Sequence, residues 1–148
     1  MSMRDVIESD LETFFLDQLD PEATRMAAFP SRDRDAFTSH WTRILGDESV
    51  AKNTILFAGD VAGNIVSWEQ DGRREVGYWV GRSYWGRGIA TEALSRFLRE
   101  IHERPLHAYV AKHNIGSIRV LRKCGFRVCG EEALRDADED GVSFELGS

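Results

Sequence analysis

The sequence predicts a single α+β domain with a mixed, mostly antiparallel sheet of six to seven strands and about four helices. Three observations carry this prediction. The chain opens with a helical segment of roughly forty residues, read from apolar residues at helical spacing. Three strand-like runs then follow one another through short turns, as in an antiparallel meander. Last, a strand, a Gly-rich turn and an amphipathic helix lead to a strand that lies parallel to the one before the helix, because a helical crossover joins them. The chain has 148 residues, which fits one domain over 1–148.

Met3 to Ile7 reads as a short first strand. Ser9 and Glu12 have the spacing of a capping box, and Leu11, Phe14, Phe15 and Leu19 share one face of the helix it opens. Pro21 stops that helix and starts another capped by Asp20. Phe29-Pro30-Ser31 breaks the pattern, and Phe37, Trp41, Ile44 and Leu45 form a third helical face ending at Gly46-Asp47. Asn53–Ala58, Ile65–Glu69 and Glu75–Val80 are the strands of the meander, with Asp71-Gly72 as the second turn.

The next helix has the clearest signal. Ile89, Ala90, Ala93, Leu94, Phe97, Leu98 and Ile101 form one apolar stripe, against a polar face that includes Glu92, Arg96 and Arg99. Pro105 marks its end, and Leu106–Ala111 is the parallel strand. Asn114 caps a further helix whose Ile118 and Leu121 face inward. Gly125 suits a left-handed C-cap, with Phe126 folding back on Leu121. Phe126–Gly130 and Val142–Leu146 are the closing strands, and the acidic stretch Glu131–Gly141 reads as a loop.

Hydrophobic residues make up 42% of the chain, enough for a real core. The net charge of −6 argues against a nucleic-acid binder that tracks phosphates, and it favours cationic partners such as an amine. The first residues lack a signal-peptide pattern, and no apolar run reaches the ~20 residues that span a bilayer. Cys124 and Cys129 have no companion cysteines, so free thiols and a cytoplasmic setting are expected. His40, His102, His107 and His113 do not have metal-ligand spacing, and no metal site is expected.

Chemistry concentrates at Gly86-Arg87-Gly88-Ile89-Ala90. Glycines admit a bulky anion to the backbone, and a helix starting there points free N–H groups and its positive dipole end at that anion. The same glycines could merely permit a tight turn. The dinucleotide fingerprint is not matched, since its third glycine position is Thr91, and no Gly-Lys-Ser/Thr follows as a nucleotide-triphosphate loop requires.

The run RSYWGRGIATEAL resembles the acyl-CoA motif of the GNAT family of N-acetyltransferases, Arg/Gln-x-x-Gly-x-Gly/Ala. Gly88 and Ala90 match, and Trp85 stands at the Arg/Gln position, as in the ribosomal-protein (RimJ/RimL-like) branch. Asn114-Ile-Gly-Ser117 followed by Gly125-Phe126 is similar to the family's second block. The resemblance implies a GNAT fold whose sheet splits between the strand ending at Val80 and the strand starting at Leu106. It implies acetyl-CoA as acyl-donor co-substrate and a primary amine acceptor, either a protein N-terminus or a small molecule. The protein would work as a monomer or homodimer, with no nucleic-acid or membrane partner.

The resemblance also implies roles. Backbone groups at Tyr78, Trp79 and Val80, where the family has a β-bulge, would pair with the pantetheine arm. Arg82 would face the cofactor, Gly86, Arg87, Gly88, Ile89, Ala90 and Thr91 would hold the pyrophosphate, and Asn114 would bond the pantetheine or lower phosphate region. Ser117 would lie near the sulfur; many relatives carry a tyrosine acid where this chain has Leu121. A protonated amine needs a base before it can attack, and Glu75 is favoured over Glu69 for that role. Trp41, Trp68 and Trp79 are read as core residues that could also line an acceptor pocket. The acceptor surface is expected from the Phe29–Trp41 segment and the Glu131–Gly141 loop. A non-catalytic CoA-binding or sensor domain, which keeps the cradle without a working base, is the rival reading, and a purely structural domain is a third.

Overall fold

A computed structural model describes residues 1–27, 30–133 and 140–147. The strands are β1 (Ser2–Asp5), β2 (Ala51–Phe57), β3 (Asp60–Gln70), β4 (Arg73–Val80), β5 (Leu106–Ala111), β6 (Arg127–Ala133) and β7 (Asp140–Leu146). The helices are α1 (Leu11–Asp17), α2 (Pro21–Ala27), α3 (Arg34–Leu45), α4 (Ile89–Glu100) and α5 (Ile115–Lys123). All seven strands form one sheet in the order β1-β2-β3-β4-β5-β7-β6. Among the described strands only β4 and β5 pair in parallel, as the α4 crossover requires.

That parallel pair determines where the site lies. It holds register at just two positions, Arg74 with Leu106 and Glu75 with His107. Beyond Glu75 the strands diverge and the sheet opens into a split. On the other side β4 stays paired with β3 without a shift from Gln70–Arg73 to Gly63–Val80. The expected bulge in β4 is therefore absent. The irregularity lies one strand away, between Ile55 and Leu56 of β2, which face Gly63 and Val61 of β3. Ala62 is the extra residue there. Gly63 follows from this crowding: a Cβ on it would stand 2.0 Å from the Trp79 carbonyl oxygen.

The main core lies between the sheet and the α4–α5 layer. Ile89, Ala93, Leu94 and Phe97 of α4 meet Ile55, Ile65, Val76, Leu106 and Phe144 of the sheet and Leu121 of α5. Side chains such as Leu94 and Phe97, fully buried, each stabilise the fold by about 1.5–3 kcal/mol. A smaller cluster on the opposite face joins Phe14, Phe15, Phe37 and Trp41 of α1 and α3 to Val66 of β3. Phe14 and Trp41 pack with ring centroids 5.2 Å apart.

Three local expectations change. The Ser9–Glu12 box does not form: the Asp10 side chain takes the Ile7 N–H at 3.0 Å instead. Asp10 is buried because it also accepts two bonds from the Arg4 guanidinium and one from the Thr54 hydroxyl. Leu19 lies past the end of α1 and is 46% exposed, so it leaves the apolar face. The Glu131–Gly141 stretch is partly strand, since β6 runs to Ala133 and β7 begins at Asp140; its centre lies outside the described residues, as does Phe29.

Candidate functional site

The split opens into a cleft of about 540 Å³ walled by β4, the turn before α4, the start of α4, the first turns of α5, and α2. The edge of β4 that faces it is set by hydrogen-bond alternation. Gly81 N–H bonds the Ala62 carbonyl at 2.8 Å, so Gly81, Trp79 and Gly77 direct their backbone groups to β3. Val76, Tyr78 and Val80 consequently direct theirs toward the split. An ordinary antiparallel ladder beside a divergent parallel one exposes this backbone edge, without a bulge in β4.

The turn after β4 is built by one aromatic residue and two glycines. Arg82–Tyr84 form a single 3-10 turn, and the Trp85 indole N–H then reaches back to the Val80 carbonyl at 2.8 Å. Gly86 and Gly88 have φ of +77° and +73°, conformations that a Cβ disfavours, and space around both is open. Gly88 is the N-cap of α4 and supplies no side-chain cap. The first N–H groups of a twelve-residue helix thus face the cleft, where Gly86, Gly88, Ile89, Ala90 and Thr91 all line the wall.

Across the cleft, Asn114 caps α5 by accepting from the Ser117 N–H at 3.2 Å, and both residues line the wall. The helix ends as expected: Phe126 N–H bonds Leu121 O at 3.0 Å, Gly125 N–H bonds Arg122 O at 3.1 Å, and Gly125 has φ of +93°. Leu121 is fully buried in the core and does not line the cleft. Tyr78, from β4, brings its hydroxyl to 2.7 Å from Ser117 Oγ. Burial pushes this phenol up to about 12, partly offset by the bond with Ser117.

Several expected residues lie elsewhere. Glu75 is 4% exposed, in register with His107 at the closed end of the split, and is not part of the cleft wall. Arg82 turns away to the Asp20 carboxylate at 3.3 Å, and Arg87 lies over the Phe57 ring, 5.5 Å from its centroid. Trp41 is in the smaller core, Trp68 packs over the space beside Gly77, and Trp79 does line the cleft. The Trp79 indole N–H is buried and meets no hydrogen-bond partner among the described residues. Ala23, Met26 and Ala27 of α2 line the cleft, whereas Phe37 and Trp41 of the expected Phe29–Trp41 segment lie in the smaller core.

Other residues had no signal that sequence reading used. Arg119 and Lys123, one turn apart on α5, line the cleft opposite the start of α4. The i, i+4 spacing of two cations on a helix was available as a signal. The Asp17 carboxylate lies against Gly81, where an added Cβ would be 3.1 Å from it. Burial, with Asp20 nearby, raises Asp17 to about 6. His107, Cys129 and Glu145 bring ligand-type atoms within 4.8 Å of one another, a grouping that sequence spacing did not show. An Arg73 guanidinium nitrogen already stands 3.0 Å from His107 Nδ1.

A mostly antiparallel sheet split between two parallel strands, with a glycine-headed helix at its mouth, is the architecture of an acetyltransferase-type α+β domain. The chain belongs to the acetyltransferase (GNAT) domain family, whose model matches residues 1–127. A Bacillus licheniformis relative, uncharacterized N-acetyltransferase p20, is 30% identical over 94 residues, 61% of this chain and 51% of its own. The chain thus spans about half the length of that relative. A ribosomal-protein-alanine N-acetyltransferase from Brucella melitensis superposes with a TM-score of 0.83 at 20% identity, covering 100% of both chains. A Vibrio cholerae spermidine N-acetyltransferase, solved with CoA and spermine, gives 0.81 at 14% identity over 98% of this chain and 94% of its own. At such identities these structures share the fold alone with this chain. No helix among the described residues is long and apolar enough to cross a membrane.

Proposed function

We propose that this domain is an acetyl-CoA-dependent N-acetyltransferase that moves the acetyl group to a primary amine by direct attack in a ternary complex. The observation that carries this reading is the pairing of an exposed β4 backbone edge with an uncapped α4 N-terminus along one cleft. The first suits an extended, amide-bearing arm, and the second suits a pyrophosphate. Arg119 and Lys123 add positive charge opposite that helix start. Relatives named as N-acetyltransferases and a structural neighbour solved with CoA support the same assignment.

In this reading Gly86 to Thr91 hold the pyrophosphate, and the backbone of Tyr78 and Val80 holds the pantetheine arm. Asn114, already spending its carbonyl on the α5 cap, has its amide N–H₂ for the same arm. The attacking nitrogen forms a bond to the acyl carbon as the carbon–sulfur bond breaks, and the electron pair leaves on sulfur. Ser117 donates a hydrogen bond to that sulfur. Glu75 accepts the proton lost by the ammonium, and because it is buried three residues along β4 from Tyr78, about 10 Å, it does so through water.

The acceptor class is a primary amine. Neighbours whose names specify ribosomal-protein alanine or spermidine illustrate the two kinds expected here, a protein N-terminus and a small amine. The net charge of −6 favours a cationic acceptor. A panel of N-terminal peptides, polyamines and aminoglycosides with acetyl-CoA, read by release of free thiol, tests the proposal. Acceptor-dependent thiol release is the expected result. Tight CoA binding with no release for any amine would instead select the non-catalytic reading.

A further inference from the structure

The contact between Tyr78 and Ser117 does more than join two walls of the cleft. The two residues are 39 positions apart and come from different elements, β4 and α5, yet their hydroxyl oxygens lie 2.7 Å apart. Both line the cleft. The Tyr78 oxygen is also 3.4 Å from the Ser117 carbonyl oxygen, which can only accept. A phenol is the stronger acid and an aliphatic hydroxyl the better acceptor, so the tyrosine proton points at the serine.

That direction has a consequence for the serine. With one Ser117 lone pair occupied by Tyr78, the serine's own O–H turns away from the tyrosine. We propose that Tyr78 is a positioning residue: its hydroxyl orients the Ser117 O–H toward the sulfur of bound CoA, so that the serine stabilises the departing thiolate. The proposal rests on the acetyltransferase reading above. No proton needs to cross to sulfur: the C–S electron pair stays on sulfur as thiolate, and Ser117 and Tyr78 both keep their protons. This fits a site where Leu121 is buried in the core and can donate nothing. The Asn114–Ser117 cap bond fixes the Ser117 backbone, and Tyr78 fixes its side chain.

The thiol of CoA in the binary complex reports this arrangement without any acceptor. Its thiolate absorbance is followed against pH as a difference from the complex with desulfo-CoA, which cancels the protein. In the wild type the bound thiol is expected to titrate about one unit below that of free CoA in the same buffer. Ser117→Ala should return it to the free value. Tyr78→Phe, which keeps the ring packing, should remove most of the shift. The double variant should match Ser117→Ala alone, because Tyr78 acts only through the serine.

Calorimetry on the same samples, at a pH where the thiol is protonated, establishes that each variant is saturated with CoA before its thiol is titrated. An unshifted thiol in the wild type overturns the proposal, as does a Tyr78→Phe variant with the full shift, or a further loss in the double variant. Failure of the wild type to bind CoA at all would overturn the acetyltransferase reading itself, which separates the two failures. Should Ser117→Ala or Tyr78→Phe lose CoA binding, Ser117→Cys, which replaces the hydroxyl by a weaker donor, still has to lose part of the shift.

Discussion

The indole N–H of Trp85 donates to the carbonyl of Val80 at 2.8 Å, closing the turn that separates the β4 edge from the start of α4. Trp85 is 39% exposed, so this bond rather than deep burial ties it in place. It gives the tryptophan at this turn a structural use. Trp85→Phe keeps an aromatic ring and removes the donor. One neutral hydrogen bond contributes about 1 kcal/mol, so CoA affinity should weaken roughly fivefold by calorimetry. Unchanged affinity would mean that the turn holds its shape without the indole.

Gly88 allows two effects to be separated. Its φ of +73° penalises any side chain, while the space around it is open. Gly88→Ala should cost about 1–2 kcal/mol from backbone conformation alone, seen as a fall of a few degrees in Tm. Gly88→Trp should lose CoA binding as well, because its ring occupies the cleft wall. A Trp variant that binds CoA normally would remove Gly88 from the cradle.

Glu75→Gln should slow turnover more at low pH than at high pH. At low pH the acceptor is mostly protonated and depends on a base, whereas at high pH the free amine is already available. A pH-independent loss would assign Glu75 to structure, in keeping with its 4% exposure, and would direct attention to Asp17, whose carboxyl at about 6 has a value suited to a base near neutrality.

Asp10 and Asp17 should affect stability in opposite directions with pH. Burial opposes ionisation of Asp10, but bonds from Arg4, Ile7 and Thr54 outweigh it and hold the carboxyl at about 2. Its contribution is present above pH ~4 and is lost as pH falls toward 2. Asp10→Ala should cost about 3 kcal/mol at neutral pH, with the loss shrinking in acid. Asp17 is raised to about 6, so its protonated form is favoured by folding. That contribution is full below pH ~4 and is lost as pH rises through 6, and Asp17→Asn should therefore raise the midpoint of denaturation at pH 7. Urea titrations of the three proteins across pH 3–8 check both signs.

Much of this architecture is legible along the chain, because the signals are local. The stripe from Ile89 to Phe97 specifies α4, and its core face is the one observed. The order of four strands, crossover and closing strands follows from turn residues and periodicity, and the Asn114 cap and Gly125 terminus follow from residue types with one physical use each. The turn through Gly86 and Gly88 belongs with these, since both glycines take the positive φ that favours glycine.

What tertiary structure alone decided are the meetings between distant side chains. Tyr78 and Ser117 converge because β4 diverges from β5 after Glu75, and nothing local to either residue records that divergence. The same register sets Glu75 beside His107 instead of in the cleft, and Arg82 meets Asp20, 62 positions away in the chain. Ser9–Glu12 fails as a cap because Asp10 finds Arg4 and Thr54, the latter 44 positions away. Local chemistry determines which elements form. Which side chains share a site depends on strand register, where a shift of one residue turns each side chain to the opposite face, and on where a sheet stops pairing.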